Sequence, residues 1–395
     1  MTIPLFKVFM ADDVLDYVGP TLKSGYVGQG ARVEDFEAKL RTWFGINNIL
    51  TVNSATSAEH LALRLIKDPT SFLEQDDLFP IQSSFNWPGA KNGDTVLASP
   101  LTCLASNMPI VINGYNIKWV DIDPNTLNMD LQDLEQKLDK SVKAIMFPLW
   151  GGMPPNFDEV NAILDRAKER NGFKPFVIFD CAHALGSTYK GEKVGTQPGF
   201  FFTFSFQAIK HFTTGDGGIL ISPFLDLHKK GKLMRWYSLD REEKGRQDFR
   251  CELDAPYIGD KLHMNDINAS IGLANFPHID NIVQKHKQNA AFFNRKLDNT
   301  CGIRLLSTSP NCESASWIFT LRADNRNDLM RALNSRGVMS SRVHERNDKH
   351  SCFSQYKLDL PFLDEVIADM LCIPCGWWLS EEDRNHIVDS IRKGW

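Results

Sequence analysis

The chain has 395 residues, of which 43% are hydrophobic and 24% charged, with 44 basic against 49 acidic side chains and a formal charge of −5. This is the composition of an ordinary globular protein, too long for one small core and calling for two or three domains. The slightly acidic balance, without a basic block of five or more, argues against nucleic acid or an anionic membrane as the main partner.

At the N-terminus, MTIPLFKVFMADDV lacks the basic-then-apolar order of a signal peptide. No apolar run approaches the ~20 residues of a membrane helix, so a cytoplasmic protein is expected. The runs NILTV (48–52), DTVLASP (94–100), IKWVDI (117–122), KAIMFPLW (143–150), PFVIFD (175–180), FFFTFSF (200–206) and GGILISP (217–223) read as short buried strands. Between them, AEHLALRLI (58–66), LQDLEQKLD (131–139) and FDEVNAILDRAKER (157–170) carry helical spacing. The alternation predicts a mostly parallel sheet covered on both faces, with ligands at the carboxyl ends of its strands. Asp121, Trp150 and Asp180 fall at or near such ends, and Lys210 follows one closely. The stretch 67–94, rich in Pro, Asp and Ser, reads as a long surface loop or insertion.

From about residue 265 the pattern changes to a long helical region interrupted near Pro277. SWIFTLRA and GVMSSRVH then read as strands around the helix DLMRALNSRG. The expected division is a large domain over 1–264, with an N-terminal arm and the 67–94 insertion, and a small α/β domain over 265–395.

The eight cysteines are scattered through a large chain, which favours reduced thiols. CIPC at 372–375 has no second pair of ligands, so it reads as packing rather than zinc. His344 and His350, in VHERNDKH, fall short for the same reason, and no metal is expected.

Chemistry concentrates in FTFSFQAIKHFTTGDGGIL (202–220), where Lys210 sits among apolar residues. An amine in a partly apolar pocket loses its proton more readily and can then join a carbonyl; the plain alternative is a solvated loop lysine. Asp180 ends an apolar strand and CAHALG follows it. Pyridoxal phosphate needs a carboxylate there, to partner its ring nitrogen. TVNSATSAEHLAL (51–63) is a strand, a small polar loop and a helix. Its backbone N–H groups, with the Thr56 and Ser57 hydroxyls, could hold a phosphate, or the loop is simply a capped helix start.

FDCAHALGSTYKGEKVGT followed by FTFSFQAIKHFTTGDGG resembles the DegT/DnrJ/EryC1/StrS family of pyridoxal-phosphate sugar aminotransferases. So do SGYVGQGARVEDFEAKLRTWFG, VNSATSAEHLAL, WVDIDPNTLNMD and HMNDINASIGLANF, in the family's order from about residue 20 to 350. The resemblance implies the fold type I, aspartate aminotransferase architecture: a mostly parallel central sheet flanked by helices, with a smaller C-terminal α/β domain. It implies pyridoxal 5′-phosphate held by Lys210 as an internal aldimine, with Lys210 then shuttling the proton. Asp180 would pair with the ring nitrogen and His183 would stand beside the ring and its phenolic oxygen. Ala55, Thr56, Ser57 and Ser205 would bind the phosphate.

Two departures bear on binding. Cys103, in SPLTCLASN, stands where the family usually stacks an aromatic residue on the ring, leaving Thr102, Cys103 or another side chain to cover it. In GDKLHMND (259–266) the usual Asn is replaced, so Lys261 and His263 become candidate anion contacts reaching the neighbouring subunit's site. Tyr26, Trp150, His344 and Arg346 lie in segments that border the family's substrate cleft. The implied reaction moves an amino group from glutamate to a keto- or aldehydo-sugar, typically nucleotide-linked, for a surface polysaccharide such as lipopolysaccharide. It is implied to run in a homodimer with shared active sites. Two alternatives are amination of 8-oxo-Kdo and a non-catalytic protein that kept the fold.

Overall fold

The computed structural model describes residues 2–73, 84–241 and 253–395. Seven strands form its main sheet: β1 (Ile49–Val52), β2 (Thr95–Ala98), β3 (Asn116–Trp119), β4 (Val142–Pro148), β5 (Phe176–Asp180), β6 (Phe201–Ser205) and β7 (Gly218–Ile221). They coincide with the seven apolar runs read from the sequence, β3 and β4 each starting one residue before its run. Their order is β1-β7-β6-β5-β4-β2-β3. All neighbours pair in parallel except β7, which runs antiparallel to both β1 and β6.

Side chains alternate across the sheet with period two, and both faces are covered. In β5, Phe176 and Ile178 enter one core with Leu61, Leu65, Ile110, Trp119 and Phe201. Val177 and Phe179 enter the other, with Phe36, Phe147, Phe157, Phe202 and Phe204. By that alternation Asp180 and Thr203 share the face of Phe176 and Phe201. This face is covered by α3 (Ala55–Leu65) and α4 (Leu104–Ile112). The opposite face carries α2 (Ala31–Phe44), α5 (Leu131–Lys137) and α6 (Phe157–Asn171).

The sequence marks these helices at their ends. Asp130 accepts the Gln132 and Asp133 N–H groups before α5, and Asn156 accepts that of Glu159 before α6. Gly172 then closes α6 at φ 86°, a conformation cheap only for glycine.

Beyond the sheet, α8 (Asp266–Asn275) and α9 (Ile279–Leu297) flank a single 3₁₀ turn, Phe276–His278, at the expected break. A second sheet, β8 (Ile303–Leu305), β9 (Phe319–Ala323) and β10 (Met370–Ile373), is antiparallel. It packs on α9, α10 (Arg326–Ser335) and α12 (Glu381–Arg392) through Phe293, Leu321, Leu329, Leu371 and Ile387. Ile3 of the N-terminal segment joins this core through a bridge to Val338.

One expectation is corrected. GVMSSRVH forms no strand; only Val338 and Ser341 make isolated bridges, and the third strand of the small sheet is the run containing Cys372. Within the 67–94 stretch, read as a loop or insertion, Thr70–Leu73 pairs antiparallel with Ser84–Trp87, while 74–83 lie outside the described residues. Cys372 and Cys375 are free and buried, and burial pushes the Cys372 thiol up to about 12.

Candidate active site

The site lies at the carboxyl ends of β1, β5 and β6. β1 runs into α3 through Asn53 and Ser54. The Ser54 hydroxyl accepts the Ser57 N–H at 3.1 Å, and the Ser57 hydroxyl donates to Asn53 Oδ1 at 2.5 Å. Among the described residues nothing accepts from the Ala55 and Thr56 N–H groups. They sit at the positive end of an 11-residue helix, the ordinary seat of an anion. Val52, Gly218 and Ser205 lie side by side across β1, β7 and β6, which brings the Ser205 hydroxyl to the same corner. Gly218 makes the corner possible. A Cβ there would stand 2.6 Å from Phe204 O, 2.7 Å from Ala55 N and 2.8 Å from the Ser54 carbonyl carbon.

Asp180 ends β5, buried on the α3–α4 face. Its Oδ1 accepts the Ala182 N–H at 2.9 Å and its Oδ2 accepts the Ser106 hydroxyl at 2.5 Å. Thr102 Oγ1 lies 2.8 Å from Ser106 Oγ, so the start of α4 fixes the carboxylate. Two donors, the Ala182 N–H and the Ser106 hydroxyl, thus hold the carboxylate in place.

Lys210 follows β6 in a turn closed by its own N–H on Gln207 O at 2.9 Å. The residue is half-buried, but its amine is enclosed by protein and lies 3.9 Å from the centroid of the Trp317 ring. Burial lowers this amine from 10.5 to about 8, against the opposing pull of Asp180, Cys103 and Glu59.

Trp317 is 2% exposed. It lies between Phe6 (centroids 4.7 Å) and His183 (4.0 Å, 20°), with its Nε1–H donating to Ile209 O at 2.9 Å. His344 lies 5.9 Å from His183 with the rings nearly parallel, and Trp150 stands edge-on 6.0 Å from each. Trp150 is held by its Nε1–H on Thr320 Oγ1 at 3.0 Å. Burial first, then Lys210, keeps His183 well below the usual histidine range and His344 at about 4. Both are therefore neutral at pH 7. His344 Nε2 is buried without a partner among the described residues.

The structure thus brings together Lys210, Asp180, His183, Cys103, Trp150 and His344, with the 54–57 loop and Ser205 alongside. Cys103 is the N-cap residue of α4, and its carbonyl accepts from Asn347 Nδ2 at 3.2 Å. Lys261 and His263 flank the β1 end of their own chain: the Asn53 N–H donates to Leu262 O at 2.7 Å. The His263 ring packs 3.6 Å from Trp236, and burial, then Lys261, lowers it to about 4. Tyr26, 85% exposed, projects into solvent. Arg346 is buried and spends its guanidinium on Asp348, at 2.7 Å through both Nε and Nη2, and on Asp364. Asp121 caps α11 (Pro361–Asp369), accepting the Phe362 and Leu363 N–H groups.

Sequence reasoning missed Trp317, Ser106 and Glu59. The only trace of Ser106 was its i,i+4 spacing from Thr102 at a helix start. Trp317 looked like any aromatic residue of an apolar strand.

The donor set fits pyridoxal phosphate at its three functional ends. The unclaimed Ala55 and Thr56 N–H groups suit the phosphate, the donor-fixed Asp180 suits a protonated ring nitrogen, and the Lys210 amine suits the aldehyde.

The sequence pattern of the DegT/DnrJ/EryC1/StrS aminotransferase family matches residues 9–76 and 80–392. The chain is 27% identical to the GDP-perosamine synthase of Escherichia coli O157:H7, over 99% of this chain and 98% of that protein. Two solved structures superpose closely. AtS13 from Actinomadura melliaura is 41% identical with a TM-score of 0.91, covering 100% of this chain and 99% of that one. The sugar aminotransferase CalS13 from Micromonospora echinospora is 37% identical with a TM-score of 0.91, and both chains are covered in full.

Proposed function

The chain belongs to the DegT/DnrJ/EryC1/StrS aminotransferase family, and from that premise we propose that it moves the amino group of glutamate onto a keto- or aldehydo-sugar carried on a nucleotide. It is a sugar aminotransferase that works with pyridoxal phosphate. The observation that carries the reading is the Lys210 amine, lowered to about 8 and lying against Trp317 within the field of Asp180.

When bound, pyridoxal phosphate supplies an aldehyde that takes up the amino group and a ring that accepts electrons from the breaking C–H bond. The protein's part falls to named residues. Ala55 and Thr56 N–H and Ser205 hold the phosphate. Asp180, fixed by Ser106 and Ala182, would face the ring nitrogen and hold a proton there. The Lys210 amine, in its unprotonated form, would take the proton from the donor's α-carbon and deliver it to the carbon of the cofactor's aldehyde group, on the far side of the transferred nitrogen. Trp317, Phe6 and His183 keep water from that amine. Neutral His344 and Trp150 line the side where a sugar would enter, and His344 Nε2 offers it a hydrogen bond.

Support for a nucleotide-linked acceptor is the likeness to a GDP-perosamine synthase. Amination of 8-oxo-Kdo and a non-catalytic role have no observation in their favour. On the family's pattern the enzyme is a cytoplasmic homodimer, with Lys261 and His263 serving the partner's phosphate and a domain boundary near residue 264, in a route to surface polysaccharide. Among the described residues no helix is long and apolar enough to cross a membrane. A panel of nucleotide-linked keto-sugars assayed with glutamate tests the reading. Release of 2-oxoglutarate that depends on one such sugar supports it, and turnover only with a free keto acid refutes it.

A further inference from the structure

The Lys210 amine meets a ring where a lysine ordinarily meets water or a carboxylate. Its Nζ lies over the Trp317 indole, 3.9 Å from the centroid, and among the described residues no ion pair or side-chain hydrogen bond reaches it. An indole face carries the negative end of a quadrupole and attracts a cation, the more so away from water. The indole is held by its rings and by its nitrogen. Phe6 and His183 stack on it at 4.7 and 4.0 Å, and its Nε1–H donates at 2.9 Å to Ile209 O, the carbonyl next to Lys210 itself. Its backbone is held as firmly. The Trp317 N–H donates to Gly151 O at 3.2 Å and the Ala315 N–H to Ser187 Oγ at 2.9 Å. Two buried histidines with no other place in the chemistry, His211 and His286, donate to the Ala315 and Ser316 carbonyls, each at 3.0 Å. Ser316 stands at φ 53°, a left-handed conformation that a serine keeps only where its surroundings hold it. So much restraint on one indole exceeds what a shield against water needs. The titratable groups facing the amine are Asp180 on β5, Cys103 at the start of α4 and the buried Glu59 on α3. His183 and His344 also face it, and being neutral neither opposes an ammonium there by charge.

We propose that Trp317 is a catalytic residue: its indole face holds the Lys210 ammonium while the lysine carries the proton taken from the donor's carbon. The inference rests on the assignment of that proton transfer to Lys210, and its test separates the two. The unprotonated amine takes the proton from the donor's α-carbon and becomes an ammonium, and the electron pair of that bond stays behind with the donor and the cofactor. The ammonium then gives up the same proton and is an amine again. Burial by itself makes the charged interval costly, because it disfavours an ammonium. A π face offsets part of that cost without an anion at contact distance, which would hold the proton too tightly to release it. The ring steadies the charge and leaves the proton transferable.

The test places one, two or three fluorine atoms on the six-membered ring of Trp317 alone, by site-specific incorporation of fluorotryptophans. Fluorine drains the negative face and nearly preserves the volume, so the shield stays while the attraction weakens. In the cofactor-free protein, Lys210 acetylation by acetic anhydride is followed against pH by mass spectrometry of the Lys210 peptide, which reads the amine's proton affinity. That affinity should fall stepwise with the fluorine count, by about threefold to thirtyfold in all. The single-turnover rate of the loaded enzyme with glutamate should fall in the same order, by about tenfold at three fluorines. An affinity unchanged or raised across the series overturns the proposal and leaves Trp317 a shield. An affinity that falls while the single-turnover rate keeps its wild-type value overturns the catalytic role. Borohydride reduction of the loaded protein tests the underlying assignment: cofactor fixed on a lysine other than Lys210 overturns that assignment, and the proposal with it.

Discussion

Replacing Lys210 by methionine should make the cofactor-free protein more stable, and by an amount that depends on pH. The amine falls from its ordinary 10.5 to about 8 because burial disfavours its charge. At about 1.36 kcal/mol per pH unit, keeping the amine charged in the fold costs up to about 3 kcal/mol. Lys210 is only half-buried, and residual water trims this to about 1–2 kcal/mol. The sign follows from proton counts. Below pH 8 the amine is charged in both the folded and the unfolded chain, so the fold carries the full cost. Between 8 and 10.5 the folded protein has lost the proton while the unfolded chain keeps it, so the cost fades as pH rises. Methionine fills a similar volume against Trp317 without a charge. Urea midpoints of the two apo proteins, at pH 7 and near pH 10, read the difference. Lys210→Met should lead at pH 7, and the lead should shrink towards zero at the higher pH. An equal lead at both values, or none at pH 7, would refute an amine poised to lose its proton.

Gly218→Ala tests the phosphate corner. Its Cβ would meet three backbone atoms at 2.6–2.8 Å, so the loop must retreat, and pyridoxal phosphate affinity measured by dialysis should fall by about tenfold or more. Arg346→Ala tests whether that residue is structural. It strands Asp348 and leaves Asp364 unpaired, with an expected loss of about 3 kcal/mol in chemical denaturation and little change in the sugar KM of the folded fraction. A raised KM at unchanged stability would return Arg346 to the substrate cleft.

Much of the sheet was legible because strands buried on both faces are nearly continuous apolar runs, and each of the seven was bounded by turn residues or a helical stretch. Asp180 and Lys210 were legible for the same reason, as polar groups at or just past the end of such runs. What escaped notice depends on partners far along the chain. Ser106 matters because α4 lays it against a carboxylate 74 residues away. Trp317 covers the lysine only because the chain after α9 returns over β6. Glu59 hid because a polar residue on a helix is ordinarily taken for its solvent face, and only packing shows which face is inside. Arg346 is occupied by Asp348 and Asp364, the second of them brought near only by the fold. GVMSSRVH alternates like a strand, but a strand needs a neighbour's ladder, and here only Ser341 pairs with β10.

The central claim is that Lys210 binds the cofactor and moves the proton. It is tested most directly with purified Lys210→Ala mixed with pyridoxal phosphate and glutamate, following bound-cofactor absorbance and 2-oxoglutarate together. The variant should show no lysine-linked absorbance and no catalytic release of 2-oxoglutarate, while retaining the wild-type circular dichroism spectrum. Sustained release by Lys210→Ala at a rate near wild type would contradict it.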